Sequence, residues 1–190
     1  LGDERHRAAR ARVDLEHMDN AGLDGELHVH QADDAERARK LGARTFELMS
    51  FLVDVMHYKP AGVKFPATAT YHDSCSGLRE LGVFDQPRAL LGQVGGLTMK
   101  PLEGNDVCCG FGGTFCVKYP AISNAVVSEK AAAIERTGAQ VLLGGDMGCL
   151  MNMAGKLHRN GSPVLVYHAA EVLAGMADAP SISARSSDKG

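Results

Sequence analysis

The chain has 190 residues, 45% of them apolar and 23% charged, the balance of an ordinary globular protein with room for one core or a domain plus an appendage. A net charge of −3 gives no sign of a nucleic-acid surface, and the absence of Trp leaves little for stacking on bases or sugars. No apolar run reaches the roughly 18–20 residues a membrane span needs, the N-terminal residues lack the charged-then-apolar order of a signal peptide, and an odd count of five cysteines favours a reducing cytoplasm over a disulfide framework.

Residues 1–60 read as an N-terminal helical segment, weakly helical around Glu4 to His17. His28-Val29-His30 would offer two imidazoles if it lay on a strand edge, but no third ligand is near in sequence and a surface segment is the simpler reading. Asp33 to His57 is expected as one long helix, capped by Asp33 or Asp34, because Leu41, Thr45, Leu48, Met49, Leu52, Val53 and Met56 recur at helical spacing. Tyr58 to Pro66, with two prolines and a glycine, ends it as a linker.

Residues 61–178 change to an alternation of strands and helices. Strands are expected at Ala67–Tyr71, Leu97–Leu102, Gln140–Leu143 and Pro163–Tyr167. A turn at His72-Asp73-Ser74 follows the first of them. Helical pieces are expected at Leu78–Leu81, Pro87–Leu91, Ala121–Thr137, Cys149–His158 and Ala169–Met176. Residues 179–190, rich in Ser and charge, read as a disordered tail. Strand–helix alternation implies an α/β fold: a Rossmann-like parallel sheet of about four strands flanked by helices, with right-handed crossovers.

The cysteines fall where such a fold places ligands, beyond the carboxyl ends of the strands. Cys75 follows the first strand, Cys108 and Cys109 the second, and Cys149 the third. Adjacent cysteines form a disulfide only with strain, but both can face one metal centre. Thiolates suit soft metals and iron–sulfur clusters. Cys149 opens a helix, where the dipole favours negative charge, and Gly110, Gly112 and Gly113 let the backbone approach closely. The glycine loop lacks the lysine of a phosphate-binding loop, so a nucleotide is a poor fit. Zinc is the rival occupant, although the two short Cys-x-x-Cys pairs usual for zinc are absent. Cys116 reads as a packing thiol in the next helix, Met147, Met151 and Met153 as core filler rather than copper ligands, and His168 as a structural residue at the end of the fourth strand. Asp146 is an additional oxygen donor or an acceptor behind the ligands.

Four segments, Tyr71-His72-Asp73-Ser74-Cys75, Leu78-Arg79-Glu80-Leu81-Gly82-Val83, Cys108-Cys109-Gly110-Phe111-Gly112-Gly113-Thr114-Phe115 and Asp146-Met147-Gly148-Cys149-Leu150-Met151-Asn152, occur in an order that resembles the cysteine-rich "CCG" domain family. The resemblance covers about Asp33 to Ala177. Its nearest branch is the lactate-utilization proteins, with the iron–sulfur subunit of glycolate oxidase and the cysteine-rich subunit of heterodisulfide reductase as relatives. It implies a cytoplasmic, non-catalytic electron-transfer subunit in a complex that oxidises L-lactate or a similar 2-hydroxy acid. The partners would be the other subunits of that complex, not nucleic acid. It also implies an iron–sulfur cluster, of the four-iron 4Fe-4S type, held by Cys75, Cys108, Cys109 and Cys149; a zinc-stabilised docking subunit is the alternative. Three departures stand out. Asp146 occupies the first position of the family's closing Cys-x-x-Cys, Ser76 follows the first cysteine where the lactate proteins often have His, and the first 30 residues hold no cysteine where the family usually carries a first domain of the same kind.

Overall fold

A computed structural model describes residues 25–184, with side chains described from Asp34 onward. The weak helix expected at Glu4–His17 and the last residues of the tail lie outside these. Four strands form one sheet: β1 (Lys64–His72), β2 (Gly95–Lys100), β3 (Val141–Gly144) and β4 (Leu165–His168). Their spatial order is β2-β1-β3-β4 and every pairing is parallel. This is the expected α/β sheet of four strands.

The alternation of each strand sorts side chains onto two faces. Ala69, Tyr71, Val141, Leu143 and Tyr167 join one cluster with Met49, Leu90, Leu91, Val172 and Leu173. These last residues come from α2 (Leu48–Ser50), α3 (Asp85–Leu91) and α7 (Ala169–Leu173), so these three helices cover that face. Leu142 and Val166 face the other way, into Val127, Ala131 and Ile134 of α5 (Pro120–Arg136) and Leu150, Met153 and Leu157 of α6 (Met147–Arg159). The β1–β2 crossover, through α3, runs outward on one face. The crossovers from β2 to β3 and from β3 to β4 run in the opposite sense on the other. The strand order therefore switches between β1 and β3, and a crevice opens at their carboxyl ends, where open α/β sheets bind ligands.

Several expectations need correction. The single helix over Asp33–His57 is broken: α1 (Gly25–Gly42) ends at a turn, and Leu48 starts α2, which continues as a π-helical turn over Phe51–Val55. Glu47 caps the second piece, its side chain accepting from Ser50 N–H at 3.0 Å. Asp33 and Asp34 lie inside α1 rather than at the start of a helix. The stripe misled because its members do different things: Met49, in its middle, is 1% exposed and belongs to the core, whereas Leu41 at 70% and Met56 at 59% lie in solvent. His28 and His30 lie in helix α1, not on a strand edge.

The tail expected from residue 179 is anchored through Ala184. Ile182 N–H donates to Val166 O at 2.9 Å, Ser183 Oγ to Val164 O at 3.2 Å, and Ser181 is buried. Strand and helix ends otherwise follow the expected positions, with β1 longer at both ends and α6 beginning at Met147. Among the described residues no helix is long and apolar enough to cross a membrane.

Candidate metal centre

The crevice is built from three connections. β1 ends at His72, whose even position puts it on the α5/α6 face with Thr70. Beyond β2 a loop leads through Cys108 and Cys109 into the short helix α4 (Phe115–Lys118). Beyond β3, Asp146 caps α6: its Oδ1 accepts from Cys149 N–H at 2.9 Å, which fixes Cys149 in the first turn.

The Cys-Cys-Gly loop is tied to both helices. Asn152 of α6 donates its side-chain N–H to Cys109 O at 2.9 Å. Ser123 of α5 donates its hydroxyl to Gly110 O at 2.7 Å. Gly110 N–H reaches Cys108 Sγ at 3.3 Å. Gly110 has φ +81°, and a Cβ there would stand 2.7 Å from Ser123 O, so both conformation and space require glycine. Gly148 similarly makes room for the ring of Phe111, which a Cβ would meet at 2.5 Å.

Upstream, Lys130 of α5 is 3% exposed and donates to Gly104 O and, at 3.4 Å, to Asn105 O. Burial pulls its ammonium below the usual lysine range, offset in part by the negative groups of Cys109, Asp106, Cys108 and Asp73.

Two of the four expected ligands meet. Cys109 and Cys149 are buried, and with the imidazole of His72 they form a group whose ligand atoms all lie within 4.8 Å of one another. The two thiols act as one unit. A hydrogen bond from Cys149 lowers the Cys109 thiol against the cost of burial, with His72 and the Phe111 amide adding to the shift. The same hydrogen bond, then burial and the negative charge on Cys109 and Asp146, raises Cys149. The lowered thiol, Cys109, is the better soft donor of the two. Cys75, which opens the π-helical turn Ser76–Glu80, and Cys108 are exposed and stand outside this compact group.

His72 is the residue that sequence reading missed. It is 2% exposed, and neither ring nitrogen meets a hydrogen-bond partner among the described residues. The sequence alone assigns it to the turn before Cys75. The period-two pattern that places Leu142 and Val166 on the α5/α6 face would have placed His72 beside them.

The other sequence candidates have local duties. Asp146 is engaged as the α6 cap. His168 caps α7: its Nδ1 accepts from Ala170 N–H at 3.1 Å while Glu171 accepts from His168 N–H at 2.7 Å. Cys116 Sγ lies 3.1 Å from Gly113 O. Met153 is core, but Met147 and Met151 are exposed rather than filler. All five cysteines are free.

A donor set of two buried thiols beside a buried imidazole fits a thiolate-bound metal centre. A second cavity, about 190 Å³, opens on the far side of β1 and is lined by Glu47, Tyr71, Asp73, Ser76 and Asp146 among others. Burial, and then the carboxylates of Asp73 and Glu47, raise the Tyr71 phenol and keep it neutral.

Comparison with known proteins agrees with the motif order. The family model described as a cysteine-rich domain, CCG, matches residues 69–154. The chain is 51% identical over 148 residues to lactate utilization protein A of Exiguobacterium sp., covering 77% of this chain and 60% of that protein. It is 50% identical over 138 residues to the protein of the same name from Halalkalibacterium halodurans (73% and 57%). It is 47% identical over 148 residues to that of Bacillus subtilis (77% and 62%). The chain thus spans about 60% of the length of these curated relatives. No solved structure matches it.

Proposed function

Residues 69–154 belong to the cysteine-rich CCG domain family, and from that premise we propose that the chain is an iron–sulfur electron-transfer subunit of a lactate-utilization system in the cytoplasm. The observation that carries the reading is the pair of buried thiols, Cys109 and Cys149, at the switch point of a parallel sheet. Relatives named for lactate utilization support the system. Residues 61–178 act as one cysteine-rich domain, preceded by a helical segment.

Cys75, Cys108, Cys109 and Cys149 would hold a four-iron cluster, Cys75 and Cys108 from the exposed rim and the other two from below. Such a cluster supplies one-electron transfer. The chain's own residues do the rest. The α6 N-terminus and the loop amides stabilise negative charge at the thiolates, Asn152 and Ser123 hold the Cys-Cys-Gly loop in register, and burial of Cys109 and Cys149 keeps water from two of the sulfurs. In this reading, oxidation of the hydroxy acid falls to partner subunits.

The test is anaerobic purification with iron and sulfide analysis and electron paramagnetic resonance. A brown protein with about four irons and four sulfides per chain, lost in Cys109→Ser and Cys149→Ser, is the expected result. A colourless anaerobic preparation with stoichiometric zinc would overturn it.

A further inference from the structure

We propose that the cavity of about 190 Å³ on the far side of β1 is a binding site for a small organic ammonium ion, held by Glu47 and the hydroxyl of Tyr71. The site uses none of the cysteines. Alternation along β1 puts Tyr71 on the opposite face of the sheet from His72.

The first argument is an idle hydroxyl. Tyr71 is 7% exposed, and its ring belongs to the core on the α2/α3/α7 face. Its hydroxyl reaches the cavity wall at Gly145, where a Cβ would stand 3.2 Å from the oxygen. Glycine there leaves the oxygen uncovered. Among the described residues this hydroxyl meets no hydrogen-bond partner; only burial and nearby charges act on it. A buried tyrosine hydroxyl ordinarily has a partner, so one from outside the chain is wanted.

The second argument is charge. Glu47, Asp73 and Asp146 line the cavity, and no lysine, arginine or histidine does. Asp73 is spent on Arg88 and Asn105. Glu47 gives one oxygen to Ser50 N–H, and Asp146 gives one to Cys149 N–H. Each therefore keeps a second oxygen for a ligand. Such a lining attracts a cation and repels an anion. A 2-hydroxy acid carboxylate does not belong here.

The third argument is shape. The three carboxylates do not close on one point as the thiols and His72 do, so a bare divalent ion lacks its cage of oxygens. An ammonium group instead donates three separate hydrogen bonds. Leu81 and Val83 supply an apolar wall for a short carbon chain behind it. The volume lies below the ~300–1,000 Å³ of pockets for drug-sized ligands, which limits the occupant to a small molecule.

The probe is propylammonium chloride, titrated into the reduced full chain without oxygen and followed by saturation-transfer NMR on the propyl protons. Saturable binding to one site is expected, with no binding of L-lactate under the same conditions. Glu47→Gln keeps an acceptor for Ser50 but removes the charge, and Tyr71→Phe removes only the hydroxyl. Each should weaken binding by about tenfold. The anion control carries the test even if a variant fails to fold. No saturable binding, L-lactate binding as tightly as propylammonium, or wild-type affinity in both variants overturns the site. Displacement of the probe by an equal concentration of K⁺ overturns it too, as that marks a site for a bare ion. Iron and sulfide content judges the cluster reading separately.

Discussion

Asp73 follows His72 directly but serves a different network. Its side chain is 1% exposed, and Arg88 of α3 grips both carboxylate oxygens, at 2.9 and 2.7 Å, while the side-chain amide of Asn105 donates to one of them. Arg88 is itself held, with its guanidinium 3.7 Å from the Phe84 ring centroid and 5.5 Å from that of Tyr71. The pair is lopsided: the carboxylate is buried, but the arginine side chain keeps 32% of its surface in water. Removing the arginine therefore leaves the costly partner stranded. Arg88→Met should destabilise the fold by about 3–5 kcal/mol in urea unfolding. Adding Asp73→Asn should recover much of the loss, because the stranded charge is then gone. Equal losses in the single and double variants would show that Arg88 matters through packing on Phe84 instead. Lysine at position 88 should recover less, since it lacks the two-pronged donor geometry.

At the scale of elements, the segment Ser181–Ala184 behaves as an edge cover for β4. Ile182 donates its backbone N–H to Val166 and packs its side chain against the α5/α6 core. Ile182→Asp should cost about 1–3 kcal/mol, read as a lower urea midpoint with an unchanged slope; an unaltered midpoint would return the segment to a passive tail. Composition hid this element, because its serines act through Ser181 burial and the Ser183 hydroxyl bond to Val164, which only the folded edge creates. The strands were legible for the opposite reason. β3 and β4 are short runs such as Val141-Leu142-Leu143 and Leu165-Val166-Tyr167, bounded by glycine or proline and each followed by a helix. The cysteines were legible as a set at strand ends, but spacing does not encode depth. It could not say that Cys109 and Cys149 sink to the core while Cys75 and Cys108 stay at the surface. Nor could it separate α1 from α2, since a helical stripe continues across the break at Ala43–Glu47 and only the cap by Glu47 marks the restart.

Over the whole molecule, the sheet divides its polar burden between two faces. One face carries Asp73 with Arg88, and the other carries the thiols with the buried ammonium of Lys130 on α5. Lys130 is the cationic counterpart of the crevice: it holds the loop carbonyls of Gly104 and Asn105 and feels the negative groups at Cys109, Asp106 and Cys108. Burial is the stronger effect and depresses its ionisation below 10.5, the value for a free lysine. The unfolded chain therefore binds more protons than the native one between the depressed value and 10.5, and stability rises with pH through that interval. Conversely, this share of stability is lost as pH falls through the folded value. Lys130→Met deletes the titration and keeps much of the side-chain length. Unfolding of the wild type and the variant in urea, under reducing conditions at several pH values from neutrality to about 10.5, should give curves that diverge, with the wild type gaining on the variant as pH rises. Tyrosines and cysteines titrate in both proteins and so cancel in the difference, apart from the coupling of Lys130 to Cys108 and Cys109. That coupling acts oppositely, since neutralising the ammonium removes a favourable partner of the thiolate. Parallel curves would mean that the thiolate charge fully offsets the burial of Lys130, and a gain for the variant at high pH would mean that it exceeds it.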